Sequence, residues 1–150
     1  MRIVFFASPG IIGPFVFSSL IHFKEHIVRL ILPKSQHAIT ADELIGIASD
    51  AGIPFEVPDS LRAPDFISRI EADAPDLIIV ATYDRKLPPE IISAAKIAAL
   101  NIHPSLLPQY RGACPEFWAV RNGEKETGVT IHQLSDEFDC GDIVAQESVP

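Results

Sequence analysis

The sequence predicts an α/β fold: a mostly parallel sheet flanked by helices and finished by an antiparallel strand pair. Three observations carry this. Short apolar runs such as RIVFFA at residues 2–7 and LIIVA at residues 77–81 are bounded by turn residues, the profile of strands buried on both faces. Segments of helical length lie between the runs, and strands that alternate with helices build parallel sheets. After Gly112 the alternation stops. Residues 128–134 (GVTIHQL) and 143–149 then come with only a short acidic loop between them, which allows an antiparallel pair and no crossover helix. The expected architecture is a Rossmann-like sheet with an antiparallel extension.

Each element has a local reason. The first strand ends at Ser8-Pro9-Gly10. A helix is expected over residues 15–23, with Pro14 in its first turn. A strand over 27–32 is stopped by Pro33. A helix over 40–51 has Thr40 as N-cap, Glu43 three residues on, and Gly52 just past its end. Residues 53–57 form a third strand, placed at a sheet edge by Pro54. A helix over 65–72 starts near Ser60 or Pro64, and after it come the strand at 77–81, a helix over 89–95 and a strand over 98–102. Residues 115–120 read as a short helix that buries Phe117 and Trp118, and Arg121-Asn122-Gly123 as a turn. No repeat, linker or low-complexity tract divides the 150 residues, so a single domain is expected.

Composition narrows the function. A net charge of −8 and a pI near 5.0 argue against a broad nucleic-acid surface, DNA included, or an anionic-membrane surface. No run approaches the ~18 apolar residues of a membrane span. The N-terminal MRIVFFASPG reads as a strand rather than a signal peptide. Cys114 and Cys140 lack metal-ligand or disulfide spacing, as expected of reduced thiols in a cytoplasmic protein.

Ligands of open α/β sheets bind beyond the carboxyl ends of the strands. The loop SPGIIG after the first strand is not the GxGxxG of a dinucleotide site. The stretch NIHPSLLPQYRG after the fifth strand is richer. Asn101 and His103 are two apart and so share a face. Together they supply an amide N–H and an imidazole, a pair suited to stabilising an oxyanion. Pro104 and Pro108 stiffen the loop beyond the strand. Two residues alone favour a strand that merely ends, with Asn101 closing it and His103 capping the break. The loop SDEFDCGD adds Asp139, with Phe138 expected to anchor the loop in the core and Gly141 to let it turn sharply. If the late strands lie beside the fifth, Asp139 reaches His103 and favours its charged form. A metal held by His103 and Asp139 is the rival reading, but no further ligands stand at usual spacing. His132 alternates within its strand and reads as structural.

These stretches resemble the folate-dependent formyltransferase family, whose members formylate methionyl-tRNA, glycinamide ribonucleotide or amino sugars, or hydrolyse the formyl donor. The resemblance runs from MRIVFFASP through PDLIIVATYDRKLPPEII, is strongest in NIHPSLLPQYRGACPEFWAV, and continues through GEKETGVTIHQLSDEFDCGDIVAQ. It implies that Asn101, His103 and Asp139 are catalytic and that no metal takes part. It implies 10-formyltetrahydrofolate as donor, bound along Arg85, Lys86 and Leu87 on one side and Asp136, Glu137 and Phe138 on the other. The acceptor it implies is a primary amine. The segment PKSQHAITADE has one lysine and no basic insertion, which favours a small amine such as an amino sugar over tRNA. A formyltetrahydrofolate hydrolase and a non-catalytic folate-binding module are the alternatives. The resemblance further implies that residues 1–150 are a catalytic domain without its last elements and without a C-terminal tRNA-binding domain.

Overall fold

The apolar runs become strands and the segments between them helices. A computed structural model describes residues 1–34 and 41–149. In chain order the elements are β1 (Arg2–Ala7), α1 (Ile12–His22), β2 (His26–Ile31), α2 (Asp42–Asp50), β3 (Phe55–Glu56), α3 (Pro64–Ala72), β4 (Leu77–Ala81), α4 (Pro89–Ser93), β5 (Ala98–His103), α5 (Pro115–Arg121), β6 (Thr127–Gln133) and β7 (Ile143–Val149). The seven strands are ordered β3-β2-β1-β4-β5-β6-β7, mostly parallel with an antiparallel C-terminal part, as the sequence predicts. The chain forms two compact units, one running to Ala99 and the other starting at Leu100.

In the first unit β1 is central and pairs in parallel with β2 and β4, while β2 pairs with β3. Strands covered on both faces carry continuous apolar runs, and Val4, Phe5, Phe6 and Ala7 have no exposed surface. Phe5 stacks on Phe17 of α1 with ring centroids 5.4 Å apart. Gly13 lets α1 start close to the end of β1, because a Cβ there would stand 2.5 Å from the Ser8 carbonyl oxygen. The helix therefore starts at Ile12, earlier than expected, with Pro14 still in its first turn. The expected cap Thr40 lies outside the described residues. The other end of α2 is as expected: Gly52 has φ +67°, and the Ile53 N–H closes onto the Ala48 carbonyl at 2.8 Å. β3 shrinks to two residues beside Pro54.

In the second unit β5 pairs antiparallel with β6, and β6 with β7. β5 runs one residue further than expected, so His103 is its last member and stands opposite Thr130, while Asn101 stands opposite His132. Two packing expectations fail. Phe117 and Trp118 are 56% and 45% exposed. The inward positions of α5 are Pro115 and Ala119, one turn apart, so the intervening aromatics point elsewhere, against each other and under the Arg121 guanidinium. Phe138 is 64% exposed rather than a core anchor.

Candidate active site

The site is built from the end of β5, the loop after it, and the loop between β6 and β7. Pro104 breaks the β5 ladder, and the chain then turns under close control. The Ser105 N–H donates to the His103 carbonyl at 2.9 Å, and Ser105 Oγ donates to the Gln109 carbonyl at 2.6 Å. Buried Thr130 on β6 receives the Leu107 N–H at 3.1 Å and donates its own hydroxyl to the Ser105 carbonyl at 2.6 Å. Gln146 on β7 donates to Thr130 Oγ1 at 2.8 Å and to the Leu107 carbonyl at 3.0 Å. Further on, Tyr110 adopts the left-handed region at φ +57°, and its hydroxyl is fixed by Glu124 and Asn122. That turn aims the Tyr110 carbonyl at His103 Nε2, 2.9 Å away, and the Gly112 N–H at Asp139 Oδ2, 2.8 Å away.

Asp139 is the hub. It sits at φ +52°, in a region non-glycine residues seldom occupy, and its neighbours hold it there. Gly141 does not provide a sharp turn through a left-handed φ, as the sequence suggested. It provides room: a Cβ at 141 would overlap the Gln133 carbonyl oxygen, and the left-handed residue of this loop is Asp139 itself. Oδ1 of Asp139 accepts from Asn101 Nδ2 at 3.2 Å, and Oδ2 lies 3.6 Å from His103 Nδ1. Asn101, His103 and Asp139 are therefore brought together, although 35 residues of chain lie between His103 and Asp139. Burial pushes the Asp139 carboxyl up. The His132 imidazole, the Gly112 N–H and the charge of His103 outweigh burial and hold it below the usual carboxylate range.

His132, read from the sequence as structural, belongs to this cluster. Its Nε2 lies 3.1 Å from Asn101 Nδ2 and 3.4 Å from Asp139 Oδ1, and its side chain is 1% exposed. One signal could have found it. The alternation of GVTIHQL puts Gly128, Thr130 and His132 on one face, and that face is the buried one. A polar side chain on a buried strand face needs a partner, and here the partners are Asn101 and Asp139.

Asn101 Nδ2, His132 Nε2 and Asp139 Oδ1 form a nearly equilateral triangle with sides of 3.1, 3.2 and 3.4 Å.

The remaining expected residues lie in two loops. After β4, Arg85 donates to the Lys34 carbonyl at 3.1 Å, Lys86 is exposed, and Leu87 is buried at 3% exposure. In the loop after β6, Asp136, Glu137 and Phe138 are exposed. Cys114 and Cys140 are free, exposed thiols.

A polar cluster of amide, imidazoles and carboxylate at a strand end defines an α/β protein equipped for acid–base or oxyanion chemistry. Comparison narrows the class: the chain belongs to the formyl transferase family, whose model matches residues 25–150. It is 41% identical over 155 residues to the methionyl-tRNA formyltransferase of Akkermansia muciniphila, covering 100% of this chain and 49% of that protein. It is 35% identical over 154 residues to the methionyl-tRNA formyltransferase of Desulfotalea psychrophila, covering 99% and 47%. The crystal structure of phosphoribosylglycinamide formyltransferase from Bacillus halodurans matches with a TM-score of 0.81 and 27% identity, over 99% of this chain and 79% of that one. The chain spans about half the length of the curated relatives it matches.

Proposed function

We propose that the chain carries a formyl-transfer site that moves a formyl group from 10-formyltetrahydrofolate to a primary amine. The observation that carries this reading is the convergence of Asn101, His103 and Asp139 on one point, in a chain of the formyl transferase family. The donor supplies a formyl carbon already activated on nitrogen. Attack by an amine leaves negative charge on the formyl oxygen, and the carboxamide N–H of Asn101 is the group to meet it. His103 adds a second donor once Nε2 exchanges the Tyr110 carbonyl for that oxygen. Asp139, held ionised, keeps the imidazole oriented and takes the proton the amine loses, through a water. The proton is returned to the leaving nitrogen, so the reaction balances without a metal ligand or a covalent enzyme species. The family resemblance assigns folate contacts to Arg85, Lys86 and Leu87 after β4 and to Asp136, Glu137 and Phe138 after β6.

Two acceptors compete. The names of the relatives favour the α-amino group of methionyl-tRNA. The net charge of −8 favours a small amine such as an amino sugar. The deciding assay presents the chain and 10-formyltetrahydrofolate with methionyl-tRNA, nucleotide-linked amino sugars, glycinamide ribonucleotide, or no amine. The expected result is tetrahydrofolate release that needs one amine and is abolished by His103→Ala. Formate release without amine would replace transfer by hydrolysis. Tight folate binding with neither product would mark a non-catalytic folate-binding module. Full activity of His103→Ala would overturn the mechanism.

A further inference from the structure

One short turn of the loop after β5 touches both the imidazole and the carboxylate of the site. Two residues apart, the Tyr110 carbonyl reaches His103 Nε2 at 2.9 Å and the Gly112 N–H reaches Asp139 Oδ2 at 2.8 Å. A carbonyl can only accept, so His103 donates from Nε2, and the other ring nitrogen, Nδ1, faces Asp139 Oδ2 at 3.6 Å. The turn has this shape while Tyr110 stays at φ +57°. In that region the tyrosine Cβ crowds the following carbonyl, and such a residue persists only where its surroundings hold it.

What holds Tyr110 comes from outside the site. Its hydroxyl donates to Glu124 Oε1 at 2.5 Å and accepts from Asn122 Nδ2 at 3.0 Å. The Glu124 carboxylate pushes the phenol above its ordinary value, so the hydroxyl keeps the proton it donates. Glu124 is exposed, yet its main chain is tied down. Its N–H donates to the carbonyl of buried Ala119 at 3.0 Å. Gly123 before it takes φ +71°, with its N–H on the Val120 carbonyl at 3.1 Å. The end of α5 thereby presents a fixed acceptor to the left-handed residue of the active-site loop.

We propose that Glu124 is a positioning residue: through the Tyr110 hydroxyl it holds the turn that sets the His103 imidazole against the Asp139 carboxylate. This rests on the formyl-transfer reading of the site. The Tyr110 carbonyl keeps the ring in place until the formyl oxygen takes over Nε2. Without Glu124, residue 110 relaxes out of the left-handed region, and the turn loses its grip on His103 and Asp139 together. A hydrogen bond open to water adds little to folding, so the effect belongs to turnover rather than to melting.

Two measurements test it. Steady-state kinetics and thermal melting compare Glu124→Ala, Glu124→Gln, Tyr110→Phe and the Glu124→Ala/Tyr110→Phe double variant with the unchanged chain. The alanine variant is expected to lose about tenfold in kcat at an equal melting temperature, with the folate KM moved by less than about threefold. The glutamine variant, whose Oε1 still accepts, should recover most of that loss. Tyr110→Phe should lose as much as Glu124→Ala, and the double variant no more than either, because all three remove the same contact. Full kcat in Glu124→Ala, a glutamine variant no better than alanine, or losses that multiply in the double variant would overturn the proposal. The second measurement needs no turnover. In nitrogen NMR of the imidazoles, the His103 Nε2 resonance should move in both Glu124→Ala and Tyr110→Phe. A resonance that stays in place would count against the proposal decisively, even with kcat reduced. If the unchanged chain formylates no amine while the resonance moves as expected, the formyl-transfer reading fails and the coupling of Glu124 to His103 stands.

Discussion

The interiors of the two units are made of different material. Through β1, β2 and β4 the first unit buries side chains with no polar atom, among them Phe5, Phe6, Leu30 and Ile78, each with no exposed surface. In the second unit the buried apolar side chains include Leu107, Pro115 and Ala119, while His103, Ser105, Thr130 and His132 are buried polar ones. Apolar packing holds its shape by volume and tolerates repacking. A buried polar group holds its shape by direction, since each donor needs an acceptor along its own bond, and is costly when one is missing. The first unit can therefore be stable without being exacting. The second is exacting, and its exactness lies around Asn101, His103 and Asp139.

Four experiments press on this contrast. The largest effect belongs to the apolar interior: Phe6→Ala should cost about 3–5 kcal/mol, read by chemical denaturation. A loss much smaller than this would mean that the first unit is not packed as described. Next comes Thr130→Val, which keeps the shape and removes a hydroxyl that donates to one carbonyl and accepts from two N–H groups. It should cost roughly 1–3 kcal/mol, because the Leu107 N–H loses its partner in a buried place. A neutral result would show that the second unit is held by packing after all.

A pH experiment is third. The Asp139 carboxyl titrates below its ordinary range in the folded chain, so its stabilising effect is complete above the unfolded carboxylate range and disappears as pH falls through the folded value. Acid unfolding monitored in the second unit should therefore flatten in Asp139→Asn; an unchanged acid limb would refute the assignment. The smallest effect is expected at Lys34→Ala. Lys34 meets Asp59 at 2.6 Å with both side chains mostly exposed, and its removal should leave the melting temperature unmoved.

The sheet was legible because strand identity is a local property. LIIVA at 77–81 and the run at 143–149 coincide with β4 and β7, and the antiparallel ending came from spacing. Asn101 and His103 were legible from the two-residue period and the proline after them. Asp139 needed the late strands to lie beside the fifth, which the β5–β6 pairing supplies. What was not legible depends on orientation in three dimensions. The sequence cannot say which side of a seven-residue helix faces inward, so Phe117 and Trp118 were misplaced. Nor can it say what lies across a sheet, so His132 passed as structural until the register set it opposite Asn101.

The lack of a side chain at Gly141 reaches further than the glycine. The Gln133 carbonyl occupies the space a Cβ would take, and Gln133 borders His132 on one side of the hairpin as Gly141 neighbours Asp139 on the other. In a library that varies every position of the β6–β7 hairpin, selection for folded chains alone, with no demand for activity, should return glycine at 141. The most invariant letter of the loop would then report no chemistry at all, only how closely two stretches of backbone must pass for a carboxylate to arrive where it does.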